Sequence, residues 1–315
     1  MALPGMARRV AGARDGNTLG ALLMMGMVGA FTFNDAFTKD AALRVPLFEV
    51  VFIRGVAATL ILLGIARLAG HSLRIPPADR TSFALRTVGE LGATATYLLA
   101  LLHLPIANVV AILQTLPLVL ALSGAVFLKE PIGPRRLAAI GVGFLGALLI
   151  VRPGAEGFNA WSLAALAAVL FVTLRDLSTR RFSDGLSSLG AATLTAGIVT
   201  LAAAVAHLAF ETWTPPPTEA SLSIARATLF IVAGYVLAVM VMRVGDIDYV
   251  AVFRYSALLW AILLGWLLFD ELPSPVEFAG ATLIAGSGAY VLLRERKLRR
   301  SVAKGAVDTG RDSPY

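Results

Sequence analysis

The sequence predicts an all-α polytopic membrane protein, ten transmembrane helices arranged as two inverted five-helix repeats. Three observations lead there. Apolar residues make up 57% of the 315-residue chain and charged residues only 15%, with a mean hydropathy of +0.78; soluble domains carry roughly 45–50% and 25%. Ten segments have about the 20 mostly apolar residues that a spanning helix needs. One ungapped offset of 141 positions lays the second half of the chain on the first.

The first repeat (19–151) contains the segments 19–38, 47–69, 82–103, 106–128 and 135–151. A short linker (152–160) leads to the second repeat (161–293), with segments 161–179, 186–210, 225–242, 249–269 and 276–293. Basic, polar tails (1–18 and 294–315) flank them and read as disordered. Arg8, Arg9 and Arg14 before the first segment imitate a signal peptide. No clear small-residue cleavage site follows, and that segment carries one copy of the repeated motif, so it is expected to stay as a helix. With the N-terminus in the cytoplasm, nineteen Lys and Arg fall on the cytoplasmic side and four on the other. This bias puts both termini in the cytoplasm and makes the basic tail an anchor near anionic headgroups rather than a nucleic-acid patch.

The offset is anchored by a motif. "TFNDAFTK" (Thr32–Lys39) and "TLRDLSTR" (Thr173–Arg180) both read T-x-x-D-x-x-T-basic, and the same shift places Glu130 on Glu271 and Pro134 on Pro275. Each half holds five helices, and an odd number makes the second copy enter the bilayer from the opposite side. Inverted repeats are the architecture of many secondary transporters. Thr32, Asp35, Thr38 and Lys39 fall within about 120° of one helix face. Asp35 and Asp176 then lie toward opposite mouths, where they join gating networks with Lys39 and Arg180 or anchor the helix ends by pairing with them.

Ionisable groups within lipid cost at least about 2.5 kcal/mol each, so they face a cavity or a partner. The spans hold Glu49, Arg54, Arg86, Glu90, Arg175 and Arg254 besides the two aspartates. Arg86 and Glu90, four apart, have the spacing of a pair along one face. Glu90, Thr94, Tyr97, Gln114, Tyr235, Arg254, Tyr255 and Trp260 form the candidate substrate-binding set. Thr94 shifts onto Tyr235 and Gln114 onto Tyr255, so the halves put polar groups at matching depths. Such a set suits a small solute with a flat apolar face and hydrogen-bonding edges. The fifth and tenth segments, "IGVGFLGALLI" and "FAGATLIAGSGAYVLL", carry spaced glycines and almost no charge. Small residues let helices approach closely in lipid, so this pair reads as peripheral packing or as a homodimer surface.

Enzymatic readings find little support. The chain has no cysteine, and His71, His103 and His207 are scattered outside any H-E-x-x-H neighbourhood. "GDID" (Asp246, Asp248) has ligand spacing but no evident carboxylate partner. No catalytic residue, metal site or cofactor is expected; the partners are a small solute and membrane lipids.

At this point the residues resemble a family. Two five-helix repeats, with an acid-x-Pro-like turn between helices four and five and again between nine and ten, are similar to the drug/metabolite transporter superfamily. "LPIANVVAILQTLPLVLALSGAVFLKEPIGPRRLAAIGVGFLGALLIV" resembles the signature half of its EamA-type branch, and the likeness covers nearly all of 19–293. The second copy departs by reading Glu271-Leu272-Pro273 where the first has Glu130-Pro131. The resemblance implies a cavity between helices one to four and six to nine, with five and ten outside. It also implies a bacterial inner membrane and transport of a metabolite: amino acids, S-adenosylmethionine, riboflavin, sugar-linked metabolites or drugs. The tyrosine–tryptophan set favours riboflavin or a similar heteroaromatic, with a lipid-type flippase as the alternative on the same fold.

Overall fold

A computed structural model of the protein describes residues 3–128, 133–152, 159–183, 185–241 and 247–309. Glu130, Asp246 and most of the 152–160 linker lie outside the described residues. Within them every regular element is a helix, as a bilayer demands of a chain that must satisfy its backbone polar groups internally. The first span is the later part of α1 (Leu3–Ala42), from Gly16. The second is α2 (Leu47–Leu68) and the third α3 (Arg80–His103). The fourth span joins α4 (Ile106–Leu113) to α5 (Leu116–Leu128). α6 (Pro134–Val151), α7 (Trp161–Thr179), α8 (Ser188–Phe210) and α9 (Thr218–Val241) are the fifth to eighth. The ninth comprises α10 (Ile247–Val250), a 3-10 stretch (Ala251–Ser256) and α11 (Ala257–Phe269), and the tenth is α12 (Pro275–Thr309).

Among the described residues nine helices are long and apolar enough to cross a membrane. The remaining span, α3, has 24 residues but carries Arg80, Arg86 and Glu90, which lower its hydropathy. Where the sequence suggested unstructured tails, α1 already begins at Leu3 and α12 continues to Thr309. Extending an existing helix through residues such as those of "RERKLRRSVAK" requires no new nucleus.

Spans pair across the halves: one with eight, three with six, two with seven, five with ten. Replacing each span by its counterpart five further on turns the one–eight pair into the six–three pair and leaves two–seven and five–ten unchanged. That is the behaviour of a pseudo-two-fold. The axis can be placed, because Thr59 and its own counterpart 141 positions on, Thr200, bring their hydroxyls within 3.2 Å. The copies are inverted. α1 ends where α7 begins: Lys39 bonds the Leu104 carbonyl at the end of α3, and the adjacent His103 stacks on Trp161, the first residue of α7, at 3.8 Å.

The glycines of the fifth and tenth spans explain their closeness. A Cβ on Gly146 would stand 2.6 Å from the Gly280 carbonyl, and one on Gly280 would stand 2.6 Å from the Gly146 carbonyl. These small residues are engaged within the chain. Gly141 and Gly286 instead border open space, among lipid-facing Leu145, Leu148 and Leu283.

The fourth and ninth spans are interrupted at matching positions, Gln114–Thr115 and Ala251–Ser256. Pro117 has no N–H for the Leu113 carbonyl and favours the start of a helix, not its interior. Thr115 restores part of the loss, its hydroxyl donating to the Ile112 carbonyl at 2.7 Å. In the ninth span a leucine stands at the counterpart of Pro117, and the break takes the form of 3-10 tightening instead. Gln114 ties the two interruptions together by donating from Nε2 to the Arg254 carbonyl at 2.8 Å.

Candidate functional site

A cavity of about 920 Å³ lies between the repeats. On the first span its lining runs from Met27 to Asp35, and on the sixth from Val172 to Arg180; eight residues of helix correspond to about 12 Å in each case. The fifth and tenth spans contribute nothing to it. At one end the cavity reaches Arg180, which is exposed. At the other it stops below Lys39, which is only 4% exposed.

The Lys39 end is sealed by local geometry that follows from the sequence. α11 ends on Asp270 in the left-handed conformation (φ 53°), and the Glu271 N–H returns to the Gly265 carbonyl at 2.9 Å, a Schellman-type stop. Glu271 then accepts Lys39 Nζ on Oε1 at 2.8 Å and the Ile106 N–H on Oε2 at 3.1 Å, capping α4. The ammonium also donates to the Leu104 carbonyl at 2.8 Å and sits 4.8 Å from the Phe269 ring centre. Nearby, Ser274 and Glu277 form a capping box on α12: the Ser274 N–H donates to Glu277 Oε2 at 2.7 Å, while Asn108 donates to Oε1 at 2.8 Å. Glu211 caps α2 through the Phe48 and Glu49 N–H groups.

Inside the cavity the polar groups form two clusters. Near the sealed end, Asp35 accepts from the Tyr97 hydroxyl at 2.6 Å and from Asn34 Nδ2 at 2.9 Å; Arg54 donates to Asn34 Oδ1 at 2.7 Å and Thr38 Oγ1 at 3.2 Å. Toward the Arg180 end, Arg175 pairs with Asp176 at 2.9 Å and with Glu90 at 3.5 Å, and Arg86 donates to Thr179 at 2.7 Å. Phe31 meets Tyr235 edge-on at 5.6 Å and forms part of the apolar wall.

Glu90, Thr94, Tyr97, Gln114, Tyr235 and Arg254 therefore line one cavity with Asp35, Asp176 and Arg180. Tyr255 and Trp260 lie outside that lining. In a 3-10 stretch, residues three apart share a face, so Arg254 and Ala257 point to the cavity and Tyr255 turns away. Its hydroxyl is buried against Gly288 with no hydrogen-bond partner among the described residues. Trp260 packs over Gly29 and donates from Nε1 to the Met25 carbonyl at 3.2 Å. The aspartates do not pair with Lys39 and Arg180: Lys39 goes to Glu271, and Asp176 goes to Arg175. Arg86 and Glu90 are likewise not paired with each other, because each reaches across to the sixth span. The sequence reading passed over Asn34 as the link between Asp35 and Arg54, and Pro117 as the cause of a break. The proline in "LQTLPLVL" was the available signal for the second.

The chain matches the model of the EamA-like transporter family twice, over residues 18–152 and 159–293. It is similar to a riboflavin transporter of Rhizobium johnstonii, 28% identical over 69% of this chain and 71% of that protein. It is also similar to a pseudopaline exporter of Pseudomonas aeruginosa (26%, covering 83% and 92%) and to an S-adenosylmethionine uptake transporter of Rickettsia conorii (24%, 84% and 89%). One crystal structure, 22% identical and covering 89% of this chain and 99% of its own, superposes with a TM-score of 0.62 and shows the same fold. With two five-helix units, a cavity between them sealed at one end and both family matches in register with the 141-residue offset, the chain belongs to the EamA-like transporter family of the drug/metabolite transporter superfamily and is a multi-pass membrane transporter, not an enzyme.

Proposed function

We propose that the protein moves a small metabolite across the bacterial inner membrane by alternating access, with both termini in the cytoplasm. The observation that carries this reading is the cavity between inverted repeats, sealed at the Lys39 end and reaching exposed Arg180 at the other. In this assignment the structure faces the cytoplasm. Lys39 and Glu271 close the outer mouth, and Asp35 lies beneath that closure. Arg180 and Asp176, the counterparts of Lys39 and Asp35, close the inner mouth in the alternate state, because exchanging the two repeats exchanges the two ends.

A flat heteroaromatic metabolite such as riboflavin is the first candidate solute. The riboflavin-transporting relatives support it, as do the aromatic faces of Phe31, Tyr97 and Tyr235 along the cavity. Proteoliposomes test the proposal: labelled riboflavin, amino acids and S-adenosylmethionine are offered for counterflow. Saturable exchange of one of them is the expected result. Exchange of another solute but not riboflavin removes the favoured choice, and no exchange of any removes the transporter reading.

A further inference from the structure

Charge in the cavity is not balanced. Five arginines line it (Arg54, Arg86, Arg175, Arg180 and Arg254) against three carboxylates, Asp35, Glu90 and Asp176. Arg175 alone engages two of the three, Glu90 and Asp176. The third, Asp35, is held by Tyr97 and Asn34. Among the described residues the hydrogen bonds of Arg54 go to the neutral oxygens of Asn34 and Thr38, with Asp35 an opposite charge nearby but not in contact, and that of Arg86 goes to the hydroxyl of Thr179, with Glu90 and Asp176 nearby. Among the described residues the Arg254 side chain, which faces the cavity, makes no hydrogen bond or contact ion pair, and Asp176 is the carboxylate that acts on its charge.

Cations kept within a membrane span need a counter-charge or a solvated cavity. A guanidinium offers a planar fork of donors that matches a carboxylate or a phosphate. Arg86, like Arg54 and Arg254, has a carboxylate nearby without contact, so the two charges by which five arginines exceed three carboxylates belong to the chamber as a whole, and the arginines with donors left for a solute include Arg54 and Arg254. These two come from the second and ninth spans, one from each repeat. They also break the internal symmetry: the counterpart of Arg54 is Thr195 and that of Arg254 is Leu113, and both of these line the cavity too. Groups that serve the shared scaffold recur in both halves, as the T-x-x-D-x-x-T-basic motif does. Arg86 and Arg175, whose counterparts are Ala227 and Asn34, are unmatched as well, so four of the five arginines facing the chamber fall outside the repeat, as recognition of an asymmetric solute requires.

We infer that the solute carries an oxyanion, carboxylate or phosphate, which the surplus arginine charge of the chamber, Arg54 and Arg254 included, holds while its flat portion lies against Phe31 and Tyr235. This rests on the reading of the cavity as the solute site and narrows its substrate class. Among heteroaromatics it favours an acidic or phosphorylated member over neutral riboflavin.

The test uses the full-length purified protein and pairs of probes that differ only by the anion: riboflavin 5′-phosphate against riboflavin, and methionine against methionine amide. Binding is read by isothermal titration or by the shift in melting temperature. The expected result is that the anionic member of at least one pair binds about 10- to 100-fold more tightly. That preference is lost in Arg54→Gln and Arg254→Gln, and Arg254→Lys regains part of it. The ratio within each variant is independent of how much of that variant folds. Equal binding of both members of every pair, no binding by any anionic probe, or a preference that survives both glutamine variants would each overturn the inference. Anion-selective binding without exchange in proteoliposomes would remove the transport reading and leave the oxyanion site standing.

Discussion

Glu271→Gln isolates the closure at the Lys39 end. The change keeps the side-chain volume, and its remaining oxygen can still accept the Ile106 N–H. What it loses is the charge facing Lys39 Nζ at 2.8 Å, in a pair whose side chains are 4% and 25% exposed. Hydrogen bonds to charged groups contribute about 1.5–3 kcal/mol, and the partial exposure of Glu271 places this one toward the lower part of that range. Lys39 keeps the Leu104 carbonyl and the Phe269 ring, so about 2 kcal/mol is lost, and only from the conformation sealed at this end. The population open to the outside then rises about 30-fold. The chain has no native cysteine, so Thr94→Cys, within the cavity, can be labelled alone with a membrane-impermeant maleimide. Labelling from outside intact cells should be slow in the Thr94→Cys protein and at least tenfold faster once Glu271→Gln is added. Replacing Lys39 and Glu271 together should give a smaller effect than Glu271→Gln, because no buried ammonium is then left unpaired. Unchanged labelling from outside in a folded Glu271→Gln variant, with labelling from the cytoplasmic side intact, would refute the closure.

Two further outcomes follow from the packing. Gly146→Leu should lower the melting temperature in detergent by several degrees, since any Cβ there meets the Gly280 carbonyl at 2.6 Å and overpacking costs about 1–3 kcal/mol; Gly141→Leu, which borders open space, should leave it nearly unchanged. Thr59→Cys with Thr200→Cys should form a disulfide on mild oxidation, visible as a mobility shift that reductant reverses, because the two hydroxyls already stand 3.2 Å apart; failure to cross-link would put the pseudo-two-fold elsewhere.

Much of the fold was legible because a bilayer makes composition decisive, and because the repeat is written in a few strongly marked residues: paired aspartates, a basic residue one turn on, and Glu271. The site was less so. Nearness in "FRYSALLW" groups Arg254, Tyr255 and Trp260, although at 100° per residue Tyr255 and Trp260 already point about 100° and 120° away from Arg254. Across the 3-10 stretch over Ala251–Ser256 and into α11, Arg254 and Ala257 reach the cavity while Tyr255 packs on Gly288 and Trp260 on Gly29. Partner choice was illegible for a related reason. Lys39 lies four residues from Asp35, yet it bonds Glu271 from 232 positions away, and only the crossing of three helix ends decides that. Arg86 and Glu90 had ideal spacing for each other. The close approach of the sixth span at Gly89 and Gly92 offered both of them shorter routes to other partners.

Paired spin labels on one protein in lipid nanodiscs test alternating access most directly. One pair, at Leu43 and Leu272, reports the Lys39 end, and the other, at Arg67 and Arg181, reports the Arg180 end; all four positions are exposed. Alternation of one chamber between two faces requires the first distance to lengthen and the second to shorten together when Glu271→Gln is introduced. Both distances widening in concert, or neither moving while solute still crosses the membrane, would contradict it.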